Sequence, residues 1–271
     1  MIQIVFANYG CHLVVESAIR SLAQCHDIDC VEVVIVENGG ERVDTAALQS
    51  LGFRSVQSIV TSENLGYFGA LVATWQRSKE KNFQFRILCN PDIEFAQRDL
   101  VRRLMLKPIL ANVAVIAPSI ISSRTGCDQN PYMNRSPGVL RRFWWRFLYF
   151  SFLVYRLRSR ISGRARVEPN TVQVSEQPIF APHGAMMIFS PSFFELAAFF
   201  SLVPFLYAEE LFVGRMSRDA GLTVLYAPDL QVVHRENAVT GMLPSRQRFN
   251  LQRAAIGAYL KQEKAMTLRS T

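Results

Sequence analysis

The feature that most constrains this chain is an alternation repeated four times within its first 106 residues. Each time, an unbroken apolar run meets a polar or glycine-rich corner and then a helical spacing of apolar residues. Residues 2–7 lead into Asn8-Tyr9-Gly10 and a predicted helix over 12–24, and residues 31–36 into Glu37-Asn38-Gly39-Gly40 and a helix over 45–51. Residues 56–60 lead into a corner ending Asn64-Leu65-Gly66-Tyr67 and a helix over 70–79; residues 85–89 lead into Asn90-Pro91-Asp92 and a helix over 97–106. Short runs without polar alternation are strands buried on both faces, and strands separated by helices pair in parallel. The pattern therefore predicts an α/β fold, a mostly parallel Rossmann-like sheet flanked by helices, with a fifth strand over 113–117 stopping at Pro118. All the corners then lie on the carboxyl edge of one sheet, which is where such sheets bind ligands.

The second half is less regular. Residues 125–137 are rich in Gly, Asn and Pro and are expected to form a mobile loop. Residues 141–158 follow, an aromatic and apolar stretch bracketed by arginines. It is too short to span a bilayer yet too apolar for an ordinary exposed loop, so two readings stand: a helix lying in a membrane interface, or one packed in the core or against a second subunit. Interleaved arginines and aromatics also suit single-stranded nucleic acid, but no accompanying motif supports that partner. A strand is expected within 179–190, where small residues around His183-Gly184-Ala185 allow close backbone approach to a ligand. A helix is expected over 193–200, short strands over 224–227 and 230–234, and a terminal helix over 250–261.

Adjacent Glu209 and Glu210 sit among Phe205, Leu206, Tyr207, Leu211 and Phe212. Desolvation and mutual repulsion there should raise at least one carboxyl pKa, which suits a general base, although two acids also favour the first turn of a helix.

Composition narrows the class. With 271 residues, 49% of them hydrophobic, the chain can bury a full core as one large domain or two small ones. Its 30 basic against 22 acidic residues give +8 and point to an anionic partner, with much of the excess between Arg135 and Arg166. Five cysteines show no paired spacing, so neither a disulfide framework nor a zinc site is expected, and a reducing compartment is. The first residues lack the features of a signal peptide.

Seven short pieces resemble, in order, the family 2 glycosyltransferases of GT-A fold, and among them bacterial surface-polysaccharide enzymes of rhamnosyltransferase type. They are Asn8-Tyr9, Val36-Glu37-Asn38, Glu63 to Gly69, Leu88 to Asp92, His183-Gly184-Ala185, Tyr207 to Glu210 and Val233-His234. The resemblance implies a GT-A domain over residues 1–240, comprising a nucleotide-binding half to about 120, an insert at about 123–175 and an acceptor half at 176–240, followed by a C-terminal loop and helix over 241–271. It further implies donor contacts from Asn8, Glu37, Asn64, Gly66, Asn90 and Asp92, with Arg246 and Arg248, and Thr240 beside them, in a loop closing over phosphates. Asp92 would bind a divalent metal, Mg2+ or Mn2+, with His234 near it; His234 could equally be structural. Asn90 stands where a full Asp-x-Asp motif has its first acid. Glu210 would be the base and Glu209 would orient the acceptor, with His183 and Gly184 on the acceptor side.

The expected activity is inverting transfer of a hexosyl or deoxyhexosyl group from a UDP or dTDP sugar to a saccharide, lipid-linked at the inner face of the cytoplasmic membrane. A homodimer is compatible with this. A nucleotidyltransferase is disfavoured because Asn8-Tyr9-Gly10-Cys11-His12 offers no glycine-rich basic loop. A non-catalytic module for an anionic polymer or membrane is separated from the enzyme by testing nucleotide-sugar hydrolysis.

Overall fold

A computed structural model describes residues 1–162, 175–196, 205–236 and 245–267. The four predicted units are present. They are β1 (Ile2–Asn8) with α1 (His12–Leu22), β2 (Val31–Glu37) with α2 (Thr45–Gln49), β3 (Ser55–Val60) with α3 (Gly66–Ser78), and β4 (Phe85–Cys89), followed by a two-residue strand β5 (Ile93–Glu94) before α4 (Leu100–Leu106). Then come β6 (Val113–Ser122), α5 (Val139–Leu148), α6 (Phe152–Ser162), β7 (Gln177–Ile179), β8 (Met186–Phe189), α7 (Pro191–Phe194), α8 (Glu209–Asp219), β9 (Thr223–His234) and α9 (Ser245–Thr267).

The strands form one sheet in the order β3-β2-β1-β4-β8-β6-β9-β5, with β7 also on β9. The β3-β2-β1-β4 half is parallel, as is the β6/β9 pair; β8 runs antiparallel to both β4 and β6 and joins the two halves. Successive residues of a strand face opposite sides, which explains the unbroken apolar runs. Ile2, Ile4 and Phe6 pack toward α1 and α4, while Val5 with Val34 and Val36 packs toward α3, α7 and α8. A third cluster lies away from the sheet, where Trp145 and Tyr149 meet Phe212, Ile256 and Tyr259.

Several expected boundaries move. The fifth predicted strand continues past Pro118 to Ser122, and the two short strands over 224–227 and 230–234 are the single strand β9. Both follow from one irregularity: the register jumps from Pro118–Ala227 to Ser119–Gln231, which places Pro118 and Pro228 at a bulge where a missing N–H costs nothing. The predicted strand over 179–190 is two strands with an irregular segment between them. The helix predicted from Phe193 is α7, ending at Phe194, and residues 197–200 of that expectation lie outside the described residues.

The loop expected to be mobile is instead tied down by side chains. Buried Asp128 accepts from the Ile120 and Asn130 amides at 2.9 and 2.8 Å and from the Tyr226 hydroxyl at 2.7 Å. Buried Asn130 donates to the Pro118 carbonyl at 2.7 Å and accepts from the His183 amide at 2.7 Å. Asp128→Ala would strand three buried donors, with an expected loss of about 2–4 kcal/mol in urea unfolding.

Candidate active site

The corners at the carboxyl edge, the β8 entrance, the start of α8 and one face of α9 enclose a cavity of about 460 Å³. From the sequence-predicted set it is lined by Asn64, Gly66, Asn90, His183, Gly184, Glu209, Glu210 and His234. Asp92 lies just behind that lining.

Asp92 is positioned from both ends of the chain. β5 pairs antiparallel with the end of β9, so Ile93 stands opposite His234, and the Arg235 amide donates to the Asp92 carbonyl at 3.0 Å. Its side chain is 0% exposed, yet neither carboxylate oxygen has a hydrogen-bond partner. His234 Nε2 stands 3.2 Å from Oδ1 without the geometry of a hydrogen bond.

The far side of the imidazole sets its tautomer. Gln129 Nε2 donates to Glu236 Oε1 at 2.7 Å, and since a carboxylate only accepts, the Gln129 amide oxygen must face His234 Nδ1, 2.7 Å away. When the ring holds a single proton, that proton sits on Nδ1, and the Nε2 lone pair points at the Asp92 carboxylate. In that tautomer two acceptors face each other out of water and repel, and a positive charge between them, whether a metal cation or a second ring proton, relieves the conflict. Carboxylate and imidazole together suit a divalent metal, with the ring held from behind as metal-binding imidazoles are. Among the described residues no group of three or more His, Cys, Asp or Glu converges, so the remaining coordination positions fall to other ligands.

The second half of the site is the glutamate pair. Tyr207 and Ala208 both have left-handed backbone, with φ of 72° and 63°, a conformation that costs non-glycine residues free energy. That turn starts α8 and aims Glu209 and Glu210 into the cavity, so the pair occupies a first helical turn and lines the site at once. Glu209 accepts from the Tyr207 amide at 2.9 Å. Burial pushes both carboxyls above the usual range, and the charge of Glu210 adds to the effect on Glu209. The Gly184 amide donates to Glu210, and a Cβ on Gly184 would come within 2.5 Å of Glu210 Oε1. Gly66 is required for a similar reason: it has φ of 73°, and a Cβ there would lie 1.9 Å from the Phe205 carbonyl oxygen of the strained turn.

The remaining predicted residues divide. Asn64 accepts from the Gly66 amide at 2.9 Å and shapes the start of α3. Buried Asn8 and Glu37 bind each other at 2.6 Å, and Glu37 also accepts from the Val43 amide at 3.0 Å; in this conformation they brace the first two corners and do not line the cavity. His183 is neutral, its pKa lowered to about 4 by burial and then by His234, and its Nδ1 accepts from the Ala185 amide at 3.2 Å. Arg246 and Arg248 belong to the first turns of α9 and not to a loop: Arg246 stacks on Phe152, and Arg248 lies against the Tyr207 hydroxyl. From α9 the cavity is lined by Gln247 and Leu251 instead. Thr240 lies outside the described residues.

Sequence reasoning missed Gln129, Glu236 and Tyr67, whose hydroxyl donates to the Gly184 carbonyl at 2.6 Å. Tyr67 stood inside a noted motif; Gln129 and Glu236 carried no local signal.

No family model matches the sequence, and no curated protein sequence matches it. Solved structures do resemble it in fold. A mannosyltransferase from Pyrobaculum calidifontis in complex with GDP-Man and Mn2+ aligns over 93% of this chain and 62% of its own, at 14% identity and a TM-score of 0.53. GalNAc-T7 with UDP, GalNAc and Mn2+ aligns over 87% of this chain and 44% of its own, at 15% identity and a TM-score of 0.53. TarS 1-349 of S. aureus aligns over 86% of this chain and 60% of its own, at 9% identity and a TM-score of 0.54. The chain thus spans less than two thirds of each of these proteins. At such identities the likeness is one of fold, and the fold is GT-A.

Two outcomes test this geometry. Because both glutamates hold protons more tightly in the native state than when unfolded, their stabilising effect is complete below the ordinary carboxylate pKa and is lost as pH rises toward the raised values. Glu210→Gln should therefore stabilise the protein by about 1–2 kcal/mol at pH 8 and change little at pH 4, read by urea unfolding at each pH. Gln129→Leu should weaken Mn2+ binding, measured by electron paramagnetic resonance of free Mn2+, by about 10–100-fold, because the ring loses its orienting partner.

Proposed function

We propose that the chain is an inverting glycosyltransferase that moves a sugar from a nucleotide-sugar donor, of UDP or dTDP type, to a hydroxyl of a lipid-linked saccharide in the assembly of a bacterial surface polysaccharide. The observation that carries the reading is one cavity with a glutamate pair in its wall and a second acidic site, behind His234, at its margin. On one side a buried carboxylate lacks any donor; on the other a glutamate pair is held with raised proton affinity. The GT-A fold adds support, since the solved proteins that share it include complexes with GDP-Man and with UDP and GalNAc.

The two sites divide the reaction. Glu210 accepts the proton of the acceptor hydroxyl, a task suited to a carboxyl whose proton affinity is raised by burial. The Gly184 amide fixes its carboxylate, while Glu209, held by the Tyr207 amide, orients the acceptor beside it. As the proton leaves, the acceptor oxygen bonds to the anomeric carbon from the face opposite the diphosphate. The bond from that carbon to the phosphate oxygen breaks, and the configuration inverts. Asp92 and His234 would hold a divalent cation, Mg2+ or Mn2+, which when bound neutralises charge on the departing diphosphate. Asn90, contributing an amide where a second carboxylate could stand, leaves the protein with few charged ligands, so the donor itself must complete the metal's shell. Asn64, Gly66 and the start of α3 bound the donor end of the cavity. The cytoplasmic face of the membrane is the compartment that fits reduced thiols, a nucleotide-activated donor and a lipid-linked acceptor together.

The test is a nucleotide-sugar panel with Mn2+ or Mg2+, scored for donor hydrolysis and for transfer to acceptor. One donor class should be consumed, giving the inverted anomer by proton NMR. Glu210→Gln should lower transfer by about 10²–10⁴-fold while donor affinity is retained. Near-normal turnover in that variant would remove Glu210 as the base, and no consumption of any donor would remove the activity.

A further inference from the structure

The segment over 141–158 has two faces, and only one is accounted for. It forms two helices, α5 and α6, broken between Leu148 and Phe152. Their inner face packs against α9. Trp145 meets Tyr259 at 6.2 Å between ring centroids, and Phe249 of α9 is enclosed by Tyr149, Phe152 and Tyr155 at 6.2, 5.4 and 5.2 Å. The packed-helix expectation is therefore met for this face.

The outer face is apolar and open. Leu140, Phe143 and Phe147 are 86%, 70% and 51% exposed, at helical spacing along α5. Phe150 in the link and Leu153 and Leu157 along α6 are 78%, 73% and 62% exposed. So many large apolar side chains left exposed on two successive helices mark a contact with something apolar. Charge identifies what. Residues 129–167 contain nine arginines and no acidic residue, more positive charge than the net +8 of the whole chain. Arg141, Arg146, Arg156 and Arg158 are exposed on α5 and α6, so a second copy of this chain docking through the same face about a twofold axis would set these cations against one another. No described helix is long and apolar enough to cross a membrane.

We propose that α5 and α6 lie flat on an anionic bilayer surface, with their outer apolar stripe among the acyl chains and the arginines on lipid phosphates. α9 links this contact to the cavity, because Phe249 is gripped by the two helices while Gln247 and Leu251, toward its other side, line the cavity wall. The bilayer contact is thus one helix removed from the catalytic groups. This deepens the reading of a lipid-linked acceptor and rests on that reading only for its purpose; the contact itself rests on α5 and α6.

Flotation of the full chain with vesicles tests it. Vesicles of phosphatidylcholine containing about one third phosphatidylglycerol should carry the protein, and phosphatidylcholine alone should carry it about tenfold less or worse. A Phe143→Ser, Phe147→Ser, Leu157→Ser triple variant should lose about tenfold or more of that binding with an unchanged circular dichroism melt, since the substituted side chains are exposed. An Arg146→Gln, Arg158→Gln pair should lose the preference for anionic lipid. Equal binding of the wild type to both vesicles, or wild-type flotation by the triple variant, would overturn the proposal. So would a dimer on size exclusion that the triple variant dissolves without any flotation. Donor hydrolysis measured without lipid keeps the two readings apart, because it should survive the triple variant, and flotation without any donor hydrolysis would count against glycosyl transfer alone.

Discussion

The site depends on a pairing of only two residues with two. β5 is too short to hold together alone, but it meets the end of β9, and that contact sets His234 beside Asp92. Everything upstream serves to bring the two there. The parallel half of the sheet carries Asp92 to the carboxyl edge. The bulge beside Pro118 lets β9 run on along β6 through a register shift, so that its last residue arrives at the same edge. Asp128 and Asn130 then lock the intervening loop, which presents Gln129 to the back of the imidazole.

The same edge concentrates features that work against stability. Two carboxylate oxygens are buried without donors, two glutamates share one dry corner, and two successive non-glycine residues adopt left-handed backbone. Each left-handed residue costs roughly 1–3 kcal/mol on its own. A fold retains such conflicts where neighbouring structure over-determines them. Here the supports are visible: Gly66 admits the Phe205 carbonyl, Gly184 admits Glu210, and the Tyr67 hydroxyl holds the Gly184 carbonyl. The two electrostatic conflicts share a direction, since each would be eased by something the cavity could receive: a cation beside Asp92, or a proton at the glutamates.

How much of this could be read from the chain depends on the range of the interaction concerned. The four strand, corner and helix units were legible because periodicity is local and the strands are buried on both faces. Asp92 and the glutamate pair were legible because polar groups placed abruptly against apolar runs are conspicuous. The strands around Pro118 and Pro228 were misread because proline is a break when taken alone and a bulge when taken with its partner, and only the pairing shows which. Gln129 and Glu236 were invisible for a related reason: they lie 107 residues apart and reach His234 through a hydrogen bond between them that only the folded chain makes. Asn8 and Glu37 show a limit of the opposite kind. Sequence placed them at the right edge, but their carboxylate and amide are spent on one another and on the loop backbone.

The aromatic segment illustrates why the choice between packing and exposure was falsely posed. A helix has two sides, and an apolar stretch bracketed by arginines can satisfy both expectations if its aromatics are divided between them. Trp145, Tyr149, Phe152 and Tyr155 are committed to α9, which leaves Phe143, Phe147, Leu153 and Leu157 facing outward with the arginines around them. Had the outer side been polar, the segment would be an ordinary packed pair of helices. Had the inner side been polar, nothing would hold the exposed stripe at a fixed position relative to the cavity. Because α9 takes the inner aromatics on Phe249 and lines the cavity with Gln247 and Leu251, the exposed surface and the glutamate pair are held at a set spacing. A fixed spacing of that kind is what an enzyme requires if its acceptor is anchored in the surface on which it rests.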